Sequence, residues 1–234
     1  VNVWANSVEG NIAVEAISLG GNIDVDVAHV AGGENGAGIA ALTERGDIAI
    51  HAGEAFGQGG YTTGIFASSH DGSTSIEAGF VAVDGTGATG IFAETWQNGD
   101  VNLDLGTVTA NGDGSAAILA GAGLGDVNLK AGWVGQTGDF GIGIGAFAFN
   151  GSVSLDVGGV FTDGTESRGI DVSALGTVDI VNDSVVTMGA GAHAVNIETV
   201  GDVTMQSRRI ATYGNEAYGL SVLTGGDVTL DIDE

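Results

Sequence analysis

The chain has 234 residues, among them 44 glycines, no proline and no cysteine, and thirty acidic residues against five basic ones give a formal charge of −25. That charge argues against nucleic acid and anionic membrane surfaces, which are held by Lys and Arg, and the missing cysteines remove disulfides and thiolate metal sites. A hydrophobic content of 43% is too high for a disordered chain, and the glycines lack collagen's third-residue period.

Val1 opens the sequence without an initiator methionine or a signal-peptide pattern, so the natural N-terminus is expected to be missing or processed. Residues 1–21 fit the later periodicity poorly and are expected to form an irregular first coil or an N-terminal cap. No apolar run approaches the ~20 residues of a membrane-spanning helix.

From residue 22 to 234 the chain repeats itself. A strand-opening marker falls at Ile23, Ile48, Thr74, Val101, Val127, Val153, Val178, Val203 and Val228, at spacings of 25 to 27 residues. From Ile48 onward a glycine follows eleven residues later, at Gly59, Gly85, Gly112, Gly138, Gly164, Gly189 and Gly214. Six residues beyond each stands Ile65, Ile91, Ile118, Ile144, Ile170, Val195 or Leu220. Within a copy the apolar residues alternate with period two, as in Val101, Leu103 and Leu105, then Val108 and Ala110, then Ile118 and Ala120.

One such unit cannot bury its apolar side alone, whereas stacked copies can. The pattern predicts an all-β, right-handed parallel β-helix with three short strands per coil and about eight coils, a rod on the order of 40 Å long. The last copy stops after one strand at "GDVTLDIDE", too short to cap an open coil, so the natural chain is expected to continue past Glu234.

The pattern "GDVxL…VxTxG…GIxA", clearest in "RIATYGNEAYGLSVLTGGDVTL" (Arg209 to Leu230), resembles the passenger regions of bacterial autotransporters and related filamentous adhesins. The resemblance covers Gly21 to Leu230. It implies a secreted or cell-surface rod, a fragment of a passenger, and it implies no particular activity, because such passengers carry adhesins, proteases and toxins alike.

Three sets of residues could carry chemistry. On consecutive rungs the outward column Glu77, Asp104, Lys130, Asp156 offers either a carboxylate-and-lysine site for polysaccharide cleavage or a plain ion ladder with Lys130 relieving repulsion. No His or Arg is expected at its register. The turn aspartates Asp47, Asp100, Asp126, Asp202 and Asp227 offer calcium ligands, or turn residues bonding backbone. The outward position of the "GIxA" strand reads Ala40, Phe66, Phe92, Leu119 and then Gly145, Asp171, Asn196, Ser221. This predicts an apolar stripe on the N-terminal half, with Phe66 and Phe92 stacked and Trp96 extending it, suited to contacting another rod, a receptor or a sugar.

His29, His51, His70 and His193 fall at unrelated places in the repeat, which disfavours zinc. "GAGLG" at Gly121 and "GIGIG" at Gly141 are turn glycines rather than dinucleotide loops, and Asn150 and Asn182 head weak glycosylation sequons. An ice-binding face is disfavoured by the mixed outward series Ala82, Thr109, Gly135, Phe161, Val186, Ala211. The expected function is a non-enzymatic surface rod, an adhesin or passenger stalk whose partner is a host or surface glycan or protein. The alternative is a filament subunit packing on neighbouring copies, and a polysaccharide-active enzyme ranks third.

Overall fold

The computed structural model describes residues 1–233 and contains strands, turns and no helix. Each turn supplies a long and a short strand. The first four pairs are β1 (Asn2–Glu9) and β2 (Ile12–Ser18), β3 (Ile23–Gly32) and β4 (Ala37–Thr43), β5 (Ile48–Gln58) and β6 (Thr63–Ser69), β7 (Thr74–Asp84) and β8 (Thr89–Thr95). The middle pairs are β9 (Val101–Asn111) and β10 (Ala116–Ala122), β11 (Val127–Thr137) and β12 (Ile142–Ala148), β13 (Val153–Asp163) and β14 (Arg168–Ala174). Then come β15 (Val178–Met188) and β16 (His193–Thr199), β17 (Val203–Thr212) and β18 (Leu220–Thr224), and β19 (Val228–Ile232).

The odd-numbered strands form one ten-stranded sheet and the even-numbered strands a nine-stranded sheet, each ordered along the sequence and parallel throughout. This is a parallel β-solenoid of about nine turns. Val127 lies between Val101 and Val153, and Ile118 between Ile91 and Ile144. Residues 1–21 build a turn of the same kind, with Val3 on Val25, Ala5 on Val27 and Val14 on Ile39. That turn adds one to the eight that the periodic markers predict.

Three strands per coil is corrected to two. In β9 the buried positions are Val101, Leu103 and Leu105, then Val108 and Ala110, so the inward phase slips by one residue at a corner. Pairing resumes at once on the far side, at Thr107↔Trp133. The two expected short strands are therefore one bent strand, in which the pairing skips only the single corner residue, Gly106 opposite Gly132.

The interior is made of columns. Val25, Ile50, Ile76, Leu103, Leu129, Leu155, Ile180 and Met205 stack in register and are buried. Facing them, Ile39, Ile65, Ile91, Ile118, Ile144, Ile170 and Val195 are fully buried. β-Branched side chains suit this pleated packing, and each turn hides its apolar side only with its neighbours' help. The recurring turn glycine is explained by its backbone: Gly59, Gly85, Gly112, Gly138, Gly164 and Gly189 all have φ between 102° and 157°, which L side chains avoid. Among the described residues no helix is long and apolar enough to cross a membrane.

Candidate functional site: the outer columns and an aromatic cleft

The turn aspartates act on backbone. Asp47 Oδ1 accepts from Ser73 N at 2.9 Å, Asp100 Oδ1 from Asp126 N at 2.9 Å, Asp126 Oδ1 from Ser152 N at 2.8 Å, and Asp202 Oδ1 from Asp227 N at 2.8 Å. Where the column carries serine the hydroxyl takes over, as Ser73 Oγ does for Asp100 N and Ser152 Oγ for Thr177 N. Each side-chain oxygen thus satisfies an N–H one rung on, as turn aspartates do locally. A second ladder of this type, Asp113 to Asp139 to Thr165, escaped the sequence reading. Asp47, Asp100, Asp126 and Asp202 thus each hold a backbone N–H of the next rung with one carboxylate oxygen, and among the described residues no three His, Cys, Asp or Glu side chains converge as metal ligands.

The acidic column is stacked as expected: Glu77 beside Asp104, Asp104 beside Lys130, Lys130 beside Asp156. Lys130 makes no ion pair with either aspartate among the described residues. The expectation that no histidine shares this register is overturned. His51 sits between Asp26 and Glu77 in the same column, and its Nδ1 lies 3.1 Å from Glu77 Oε2. His51 and Glu77 line a groove of about 760 Å³ with Trp4 and Asp26, floored at the corner by Gly53 and Gly79. Asp104, Lys130 and Asp156 lie outside that groove.

The stripe is present and half-buried. Phe66 and Phe92 stack with centroids 5.2 Å apart and planes 10° apart, and Leu119 follows on the next rung. At the next rung Gly145 leaves room over which Leu119 and Phe147 lean. Beyond it the column turns polar without leaving a bare charge: the largely buried Asp171 accepts from Arg168 Nη1 at 2.5 Å and from Asn196 Nδ2 at 2.9 Å. Asn182, of the second sequon, is also buried and donates to Ser207 Oγ.

Trp96 does more than extend the stripe. It stands in the turn after β8, 61% exposed, and forms one wall of a cleft of about 770 Å³. The opposite wall is Phe147 and Phe149, backed on the next rung by Leu175, and Leu124, Glu94 and Asn150 complete the lining. The indole Nε1 donates to Glu94 Oε1 at 3.0 Å, and Ser68 Oγ donates to the same oxygen at 2.8 Å. The ring is therefore held in place. Phe147, Phe149 and Glu94 were missed in the sequence, although the signal was present: Trp96, Phe149, Leu175 and Val200 each lie five residues beyond the third marker of their copy.

Comparison with protein-family models, with curated proteins and with solved structures gives no match. The class of protein rests on the fold alone: a parallel β-solenoid.

Proposed function

We propose that the chain is a non-enzymatic rod of the bacterial cell surface or extracellular space, an adhesin or passenger stalk that presents a binding surface. The observation that carries this reading is the uninterrupted in-register stack, which repeats each outward position once per rung and so lays a long periodic surface along a stiff core. The repeat's resemblance to autotransporter passengers and the acidic outer columns support it. The chain coupled to beads or displayed on a non-adherent bacterium is expected to confer attachment to glycan- or protein-coated surfaces. Attachment no greater than that of an unrelated acidic β-protein overturns the reading.

A second reading, a filament subunit assembled side by side, is favoured by one observation. Ile17 and Leu42, and further along Trp96, Phe149, Leu175 and Val200, are exposed apolar residues at or just past the C-terminal ends of the even-numbered strands, and exposed apolar patches mark contact surfaces. Sedimentation decides between them: a monomer at high concentration removes the filament, and concentration-dependent lateral growth removes the solitary stalk.

A further inference from the structure

The cleft beside Trp96 is made by one missing row of side chains. On the β8 rung the two outward positions are Glu94 and Trp96. On the β10 rung they are Gly121 and Gly123, and on the β12 rung Phe147 and Phe149. A Cβ at Gly123 would collide with the carbonyl oxygen of Trp96, so the floor is bare because backbone passes there. With rungs ~4.8 Å apart, the aromatic walls stand two rungs, about 10 Å, from each other. The open cleft of about 770 Å³ is the size of a small-ligand site, and such sites combine apolar walls with a few placed polar groups.

The polar groups select the ligand. Glu94 Oε1 already accepts from Ser68 and Trp96, while Glu94 Oε2 has no protein partner among the described residues and is free to accept from a ligand hydroxyl. Phe149 is 80% exposed, so the aromatic walls offer bare faces. A pyranose ring has an apolar C–H face and a rim of hydroxyl donors, matching both at once. The charge of −25 and a carboxylate at the rim repel anionic sugars.

We infer that this cleft is a carbohydrate-binding site for neutral hexose units, with the sugar face against Trp96 and Phe149 and a hydroxyl donating to Glu94. The site goes beyond the stalk reading and does not require it. Attachment of the displayed rod can fail while the cleft binds sugar, and the reverse outcome is equally visible.

The test titrates the chain with neutral cello-, malto-, manno- and chito-hexaoses, and with oligogalacturonate, following tryptophan emission and saturation-transfer NMR. At least one neutral series is expected to give a saturable change below about 10 mM. Trp96→Ala should weaken that binding at least about tenfold. Trp133→Ala, on the odd-numbered sheet, should leave it unchanged, and Glu94→Gln should weaken it while circular dichroism stays native. No saturable change with any neutral series overturns the proposal. So does a change that Trp96→Ala leaves intact, or tighter binding of the acidic oligomer. A dimer that Trp96→Ala dissociates would name a second copy of the chain as the occupant instead, and also overturns it.

Discussion

Gln136 is a fully buried amide in a largely aliphatic interior. Its column carries Val83 and Ala110 on one side and Thr162 on the other. The longer side chain fits because Gly141, across the coil, has none: a Cβ on Gly141 would collide with the Gln136 carboxamide. The amide is held by Nε2 donating to Gly138 O at 3.1 Å and Ser115 Oγ at 3.3 Å. Gly141→Ala therefore overpacks a filled core and is expected to cost about 1–3 kcal/mol, read from the urea-unfolding midpoint. In a Gln136→Ala background the same substitution enters vacated space, and the two should couple by about 0.5–3 kcal/mol. Equal costs in the two backgrounds would show that Gln136 and Gly141 do not share this volume.

At the scale of the element, a glycine column lines the bend in five of the long strands, while β3, β15 and β17 make the same bend with Ala28, Asp183 and Arg208. Gly53, Gly79, Gly106, Gly132 and Gly158 stack at the corner, and a Cβ on Gly106 would collide with the carbonyl oxygen of Gly79. Further along, Asp183 and Arg208 take the column and pair at 3.6 Å, both well exposed. Gly106→Val is expected to cost about 1–3 kcal/mol by displacing backbone, whereas Asp183→Ala should stay within about 0.5 kcal/mol, as for a solvated pair. Small effects from both would mean that the corner yields freely. This corner also marks how far the sequence could be read. "VNLDL" and "VTA" each keep period two, so both faces and their columns were legible. Side-chain phase reports direction, however, and not whether backbone pairing is interrupted, so one bent strand looked like two. The Phe66–Phe92 stack was legible because fixed register alone produces it. The cleft was not, because it depends on Gly121 and Gly123 leaving a gap between rungs on either side. The first turn was masked by missing glycine markers, although Val3, Ala5 and Val8 carry the same slip in phase.

For the whole molecule, a stack in which each rung touches only its neighbours should accept the loss of one whole period. Deleting residues 127–152 joins Asp126 to Val153 and preserves the Gly-Asp-Val junction. β13 then lands on β9 with Val153 on Val101, Leu155 on Leu103 and Val160 on Val108, and Ile170 lands on Ile118. Each of these new contacts sets one buried aliphatic side chain on another. Gln136 and Gly141 leave together, so neither overpacking nor a void remains. Two new conflicts arise: Asp156 is set directly on Asp104 without Lys130 between them, a like-charge pair that is destabilising but solvated, and Leu119, which leans over Gly145, is set on the largely buried Asp171. The shortened chain is expected to keep the β-type circular dichroism spectrum and a single thermal transition, on a rod about 5 Å shorter. Deleting 127–139, half a period, throws the following strands out of register with β9, which sets polar positions toward the core, and should yield no cooperative transition. The full-period deletion also removes Phe147 and Phe149, bringing Ser173 and Leu175 to the far wall of the cleft. A folded variant that no longer responds to neutral hexaoses would separate the aromatic cleft from the rod that carries it. Failure of the full-period deletion to fold would mean that turns are not interchangeable units, and the nearest-neighbour account of this solenoid would fall with it.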